Sequence, residues 1–217
     1  MRLEVICASL LLCSSWIMAA DSPRIVYSKY FKGSVPEFVK IVVDKSGTVT
    51  YQESVNDELP VKFEITPETV NTVFNLADKL NHFSRPLEAQ LKVANMGMKT
   101  FRYEDGSAAT ETKFNFTNDL DARQLADWFD SVIESEGDYI MLERTVKFDK
   151  LGVNQALLQV QMTMERNRLV APRQFLPLLD RISKSETFMH MSRERAATLA
   201  DAFRNPPAPK NEKKSDQ

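Results

Sequence analysis

Residues 115–134 leave this chain few architectures. A strand-like run, Lys113-Phe114-Asn115-Phe116, leads through Thr117-Asn118-Asp119 into a strongly amphipathic helix. Ala122, Leu125, Ala126, Phe129, Val132 and Ile133 follow the 3.6-residue period, so they share one face. Trp128 borders that stripe, where its indole N–H can still reach a partner. Strand patterns and one similar helix precede this element, and only helical patterns follow it. It is expected to be a wall shared by two halves of the molecule.

The first half reads as hairpin, helix, hairpin, helix. Residues 24–30 alternate apolar and polar side chains, as a half-buried strand does. Residues 37–43 and 48–53 are β-branched and aromatic runs joined by Asp44-Lys45-Ser46-Gly47, a hairpin signal. A short strand at 62–65 is an optional addition. Thr66-Pro67-Glu68 opens a helix, since Thr66 can cap and Pro67 suits a first position whose N–H lacks an intrahelical partner. That helix should end near His82, before Pro86. Residues 87–96 fit a helical turn or a strand equally well. Residues 98–104 and 108–116 form a second hairpin around Asp105-Gly106. The recurring order suggests duplication, but no single offset aligns the helix stripes, the Leu-Ala-Asp tripeptides and the turn glycines together.

Gly137 is expected to break the helical pattern and start a helical subdomain over 138–204, packed on an α+β domain over 21–137. Residues 139–148, a kink at Asp149-Lys150-Leu151-Gly152, and residues 153–166 follow. Pro172 and Pro177 bracket the start of another helix, and Ser192 can cap the last. Asn205-Pro206-Pro207 stops it, and the Pro- and Lys-rich residues 205–217 are expected to be disordered. The fold class is α+β: two β-hairpin–helix units forming a mainly antiparallel sheet with helices, then a C-terminal helical subdomain.

Residues 1–20 have a short charged start (Arg2, Glu4), an apolar run over 5–18, and Ala19-Ala20. That is signal-peptide grammar with cleavage near Ala20, so the chain is expected to be exported, to the periplasm or outside the cell. The apolar run falls short of the roughly 20 residues that span a bilayer. A retained anchor and a lipoprotein at Cys13 are weaker alternatives, since Leu12 is bulky where lipidation wants a small residue. Cys7 and Cys13 are the only cysteines. The mature chain would then hold no disulfide, no thiolate nucleophile and no cysteine-ligated metal.

With 43% hydrophobic and 27% charged residues, the composition is ordinary for a globular chain. The charge of −2 hides an asymmetry: residues 21–137 carry 13 Lys+Arg against 19 Asp+Glu, and residues 138–204 carry 11 against 8. Eight of those eleven cations are Arg. The basic half can dock on the acidic half or bind an anionic partner. It lacks the dense basic footprint of a nucleic-acid binder.

No commonplace catalytic signature is present. Six scattered glycines make no phosphate-cradling loop, and two histidines cannot supply a clustered zinc site. His82 sits one turn after Asp78, where a helix C-terminus and a carboxylate favour an imidazolium for structural reasons. Met189-His190-Met191 offers thioether and imidazole ligands suited to cuprous copper, although adjacent residues on a helix point different ways. No catalytic residue and no cofactor is assigned. The expected role is a non-enzymatic module that binds a protein or envelope component, with Arg166, Arg168, Arg173, Arg181, Arg193 and Arg195 as contact candidates. The alternative is a hydrolase whose dispersed acidic residues meet in a cleft between the halves.

Overall fold

A computed structural model of the chain describes residues 22–206. The expected leader (1–20) and nearly all of the expected disordered tail (205–217) lie outside the described residues.

The strands are β1 (Arg24–Tyr30), β2 (Phe38–Asp44), β3 (Thr48–Gln52), β4 (Val61–Glu64), β5 (Met98–Asp105) and β6 (Ala108–Phe114). They form one open antiparallel sheet in the order β4-β3-β2-β1-β5-β6. β1 lies inside the sheet and joins the two hairpins, because it pairs with β2 on one side and β5 on the other. The β2–β3 turn needs its glycine: Gly47 has φ +98°, and a Cβ there would meet the Ile65 carbonyl at 3.0 Å.

The two-residue period sets the faces. Ile25, Tyr27, Val39, Ile41, Val43, Val49, Tyr51, Phe63, Phe101 and Phe114 all point to one side and are buried. Helices α1 (Pro67–Lys79) and α2 (Leu120–Phe148) cover that side. Thr66 caps α1 by accepting the Thr69 N–H, and Pro67 occupies the first turn as its chemistry predicts. Asp119 caps α2 by accepting the Ala122 N–H at 3.0 Å. The α2 stripe faces inward: Leu125, Phe129 and Val132 are fully buried, and Ile133 packs against the same cluster. Phe129 stacks on Tyr27 of β1 with ring centroids 4.4 Å apart.

The expected break at Gly137 is absent. α2 runs unbroken for 29 residues, about 43 Å at 1.5 Å per residue. Gly137 lies on the exposed side, and the residues around it, Ser135, Glu136, Asp138 and Leu142, are buried. A lone helical glycine costs only about 1 kcal/mol, which burial on both sides of it outweighs. The second half is therefore built on the C-terminal part of α2. α3 (Val153–Glu165), a 3-10 turn at Pro172–Phe175, α4 (Leu176–Lys184) and α5 (His190–Arg204) complete it. Leu142, Val146, Val153, Leu157, Phe175, Leu179, Ile182, Leu199 and Phe203 make a second core. One helix thus serves two cores.

Three smaller expectations also change. Residues 87–96 take neither a helical turn nor a strand, and cross the sheet end as irregular chain tied by the Ala89 N–H to the Phe116 carbonyl, 2.8 Å. β6 stops at Phe114, since the Asn115 side chain turns to the Met96 N–H and the Ala94 carbonyl. Ser192 does not cap α5; the helix starts at His190, and Ser192 is buried inside its first turn. Met189 stands at the cap position, with no side-chain hydrogen bond there.

Candidate interaction surfaces

The arginines expected to meet a partner are distributed over several elements, and their engagement differs. Arg166 and Arg168 clamp α2: both pair with Glu134, Arg168 through Nε at 2.7 Å, and Arg168 also reaches Asp127 at 2.9 Å. The basic half docks on the acidic half at this point. Arg195 is held by Gln161 and by Asn154 of α3, the latter at 3.3 Å. The Arg193 Nε is buried without a hydrogen-bond partner among the described residues. Arg173 and Arg181 are exposed.

Met189, His190 and Met191 are all exposed at the start of α5. His190 pairs with Glu194, one turn on, at 3.2 Å. Among the described residues, no group of three or more His, Cys, Asp or Glu is arranged to hold a metal ion. His82 pairs with Asp78 at 2.8 Å as expected, but from outside the helix: α1 ends at Lys79, and His82, with φ +50°, stacks on Tyr103 at 4.2 Å.

The described residues include two open concavities of about 350 Å³ each. One lies between α3 and α5, floored by Met164, Met191 and Leu199 and edged by Gln161, Glu194 and Arg195. The other lies on the sheet face that the described helices leave uncovered, where Val26, Phe38 and Val42 stand among Ser28, Lys40, Thr100 and the charged Arg24, Arg102, Glu104 and Glu111. The charged residues form a ladder along one side of the second. Glu104 takes Arg24 and Arg102 (2.6 Å), and Glu111 takes Arg102 (3.6 Å) and Lys113 (3.1 Å). Partial burial opposes the Glu104 charge, but Arg102 and Arg24 outweigh it and hold its carboxyl below the usual range. Lys40 stands among the apolar residues of this face and makes no ion pair within 4.0 Å among the described residues.

Two polar clusters on the covered side were not singled out from the sequence. Lys29 and Lys99 face each other across β1 and β5. Lys29 meets Asp130 of α2 at 2.8 Å, while the nearly buried Lys99 donates to the Asn115 carbonyl at 3.1 Å. Burial, helped by Lys29, pushes the Lys99 ammonium below its usual range. The Tyr27 hydroxyl is buried without a hydrogen-bond partner among the described residues. The available signal was parity: Lys29 and Lys99 occupy the core-facing positions of their strands.

The second cluster is on α2, where Glu136 is fully buried and Asp138 nearly so. Burial pushes the Glu136 carboxyl up to about 7, against a hydrogen bond from Gln174 Nε2 at 2.6 Å. Burial likewise raises Asp138, which accepts from Thr163 at 2.6 Å. Neither acid lines either concavity. The seam around them is filled, with Val170 and Ala171 packed into the sheet core and the Val170 N–H on Ser135 Oγ at 2.8 Å.

No protein-family model matches the chain, and no curated protein matches it either. Among the described residues, no helix is long and apolar enough to cross a membrane.

Proposed function

We propose that the chain is a non-enzymatic binding module, exported to the periplasm or the cell exterior, whose open sheet face takes a protein or envelope partner. The composition of that face carries the reading. The uncovered side of an antiparallel sheet normally turns polar side chains to water. Here Tyr30 lies in register with Phe38 on one side and Met98 on the other, and Val26 lies opposite Val42. Tyr30 and Met98 stay 53% and 46% exposed. Grouped apolar side chains, the Lys40 ammonium, which has no ion-pair partner among the described residues, and a row of paired charges make up a contact patch with a polar border. The leader grammar of residues 1–20 supports action after export.

Affinity capture with the chain begun at Asp21 tests this reading. A Phe38→Glu/Val42→Glu variant whose circular dichroism matches the parent should lose its captured partner at least about tenfold, the loss of one hot-spot contact. Arg173→Glu/Arg181→Glu, at two exposed arginines of the second half, should capture as the parent does. Equal capture by the sheet-face variant, or loss confined to the arginine variant, contradicts the assignment.

A further inference from the structure

Among the described residues, the buried groups whose hydrogen bonding is incomplete include one carboxylate, and it stands where the two halves join. Glu136 has no exposed surface, and its Oε2 has no hydrogen-bond partner. Its Oε1 is held by Gln174 from the 3-10 turn that opens the α4 arm. On the same strip of α2, Glu134 takes Arg166 and Arg168, Ser135 takes the Val170 N–H while its own hydroxyl lies 2.8 Å from the Ser131 carbonyl and 3.2 Å from the Arg168 carbonyl, and Asp138 takes Thr163 of α3. The 166–175 connector is therefore fastened along one turn of helix, and Glu136 is its innermost fastening. Backbone strain adds to this, since Asn167 and Ala171 hold φ of +55° and +50°.

We propose that Glu136 is a protonation-controlled latch: uncharged, it lets the 166–175 connector lie against α2, and on losing its proton it loosens that connector. The reason is solvation. A buried neutral carboxyl leaves one hydroxyl unpaired, whereas a buried carboxylate leaves a charge without water or cation, which is far more unfavourable. The groups facing it do not supply a cation. From β3 comes the Tyr51 phenol, already donating to Glu53 at 3.1 Å; from α2 itself comes Tyr139; from the connector comes the neutral amide of Gln174. Arg166 and Arg168 are committed to Glu134 and Asp127.

The sign follows from linkage. Burial holds the carboxyl up near 7, and in an opened seam it returns toward its ordinary 4.5. Opening thus releases a proton between those values, so it becomes easier as pH rises and levels off above about 7.

Hydrogen exchange of the full chain, corrected for intrinsic rates, reads the latch. Amides of residues 168–175 should exchange on the order of tenfold faster at pH 8 than at pH 5.5. E136Q should remove the difference while leaving amides of β1 and β5 unchanged. Equal protection at both pH values, or an undiminished difference in E136Q, overturns the latch. Should E136Q fail to fold, carbon-13 titration of the parent's glutamate carboxyls still decides. One midpoint near 7 supports the latch, and all midpoints below about 5.5 overturn it.

Discussion

Phe129 shows how far single side chains could be read in advance. Its position on the apolar period marked it as buried, and it proves to be the residue on which Tyr27 stacks and against which Trp128 stands edge-on at 5.0 Å. Phe129→Ala should lower stability by about 3–5 kcal/mol in urea unfolding, because the rigid sheet cannot close the space left behind. Asp119→Ala should lose about 1 kcal/mol, through the cap on Ala122. Its carboxyl is held below the usual range chiefly by Arg85, so this contribution fades as pH falls through that depressed value. The polar residues of the interior were harder to read. Lys29, Lys99 and Glu136 look like ordinary surface charges until strand parity and helix phase place them inward, and what they meet comes from distant parts of the chain. Spacing could find His82 and Asp78 because only four residues separate them, although α1 ends at Lys79 and His82 lies beyond it with φ +50°.

The strands and α1 followed from local chemistry: alternation, turn residues and a Thr-Pro cap act over a few positions. The length of α2 did not. Glycine lowers local helix preference at Gly137, and only the second core, formed by residues far downstream, restores it. Gly137→Ala should therefore stabilise the protein by about 0.5–1 kcal/mol, since the added methyl meets no atom within 4 Å. A lower melting temperature would mean that the glycine is needed for a bend. Along the connector, Ser135→Ala should cost about 1–3 kcal/mol by stranding the Val170 N–H, whereas the half-exposed Arg166 should contribute less than about 1 kcal/mol. Equal losses in thermal melts of the two variants would contradict that ranking.

Taken together, the molecule is a sheet covered on one side by two helices, one of which continues into a second core. The α+β class was legible because two hairpin patterns, each followed by a helical one, precede a stretch that is helical throughout. The mixed make-up of the open sheet face was not, since it depends on which strands become neighbours. Burial of Glu136 also gives the whole fold a pH dependence: its contribution is fully present below about 4.5 and is lost as pH rises through about 7, up to roughly 3 kcal/mol. Urea midpoints of E136Q should vary less over that interval than those of the parent. The shared helix is tested by Gly137→Pro in a chain begun at Asp21, with urea unfolding followed by Trp128 fluorescence and by far-ultraviolet circular dichroism. Proline inside a continuous helix costs about 3 kcal/mol or more, so both midpoints should fall together. If α2 instead ended before residue 137, proline would suit the start of a new helix, and a variant that unfolds like its parent would contradict the account.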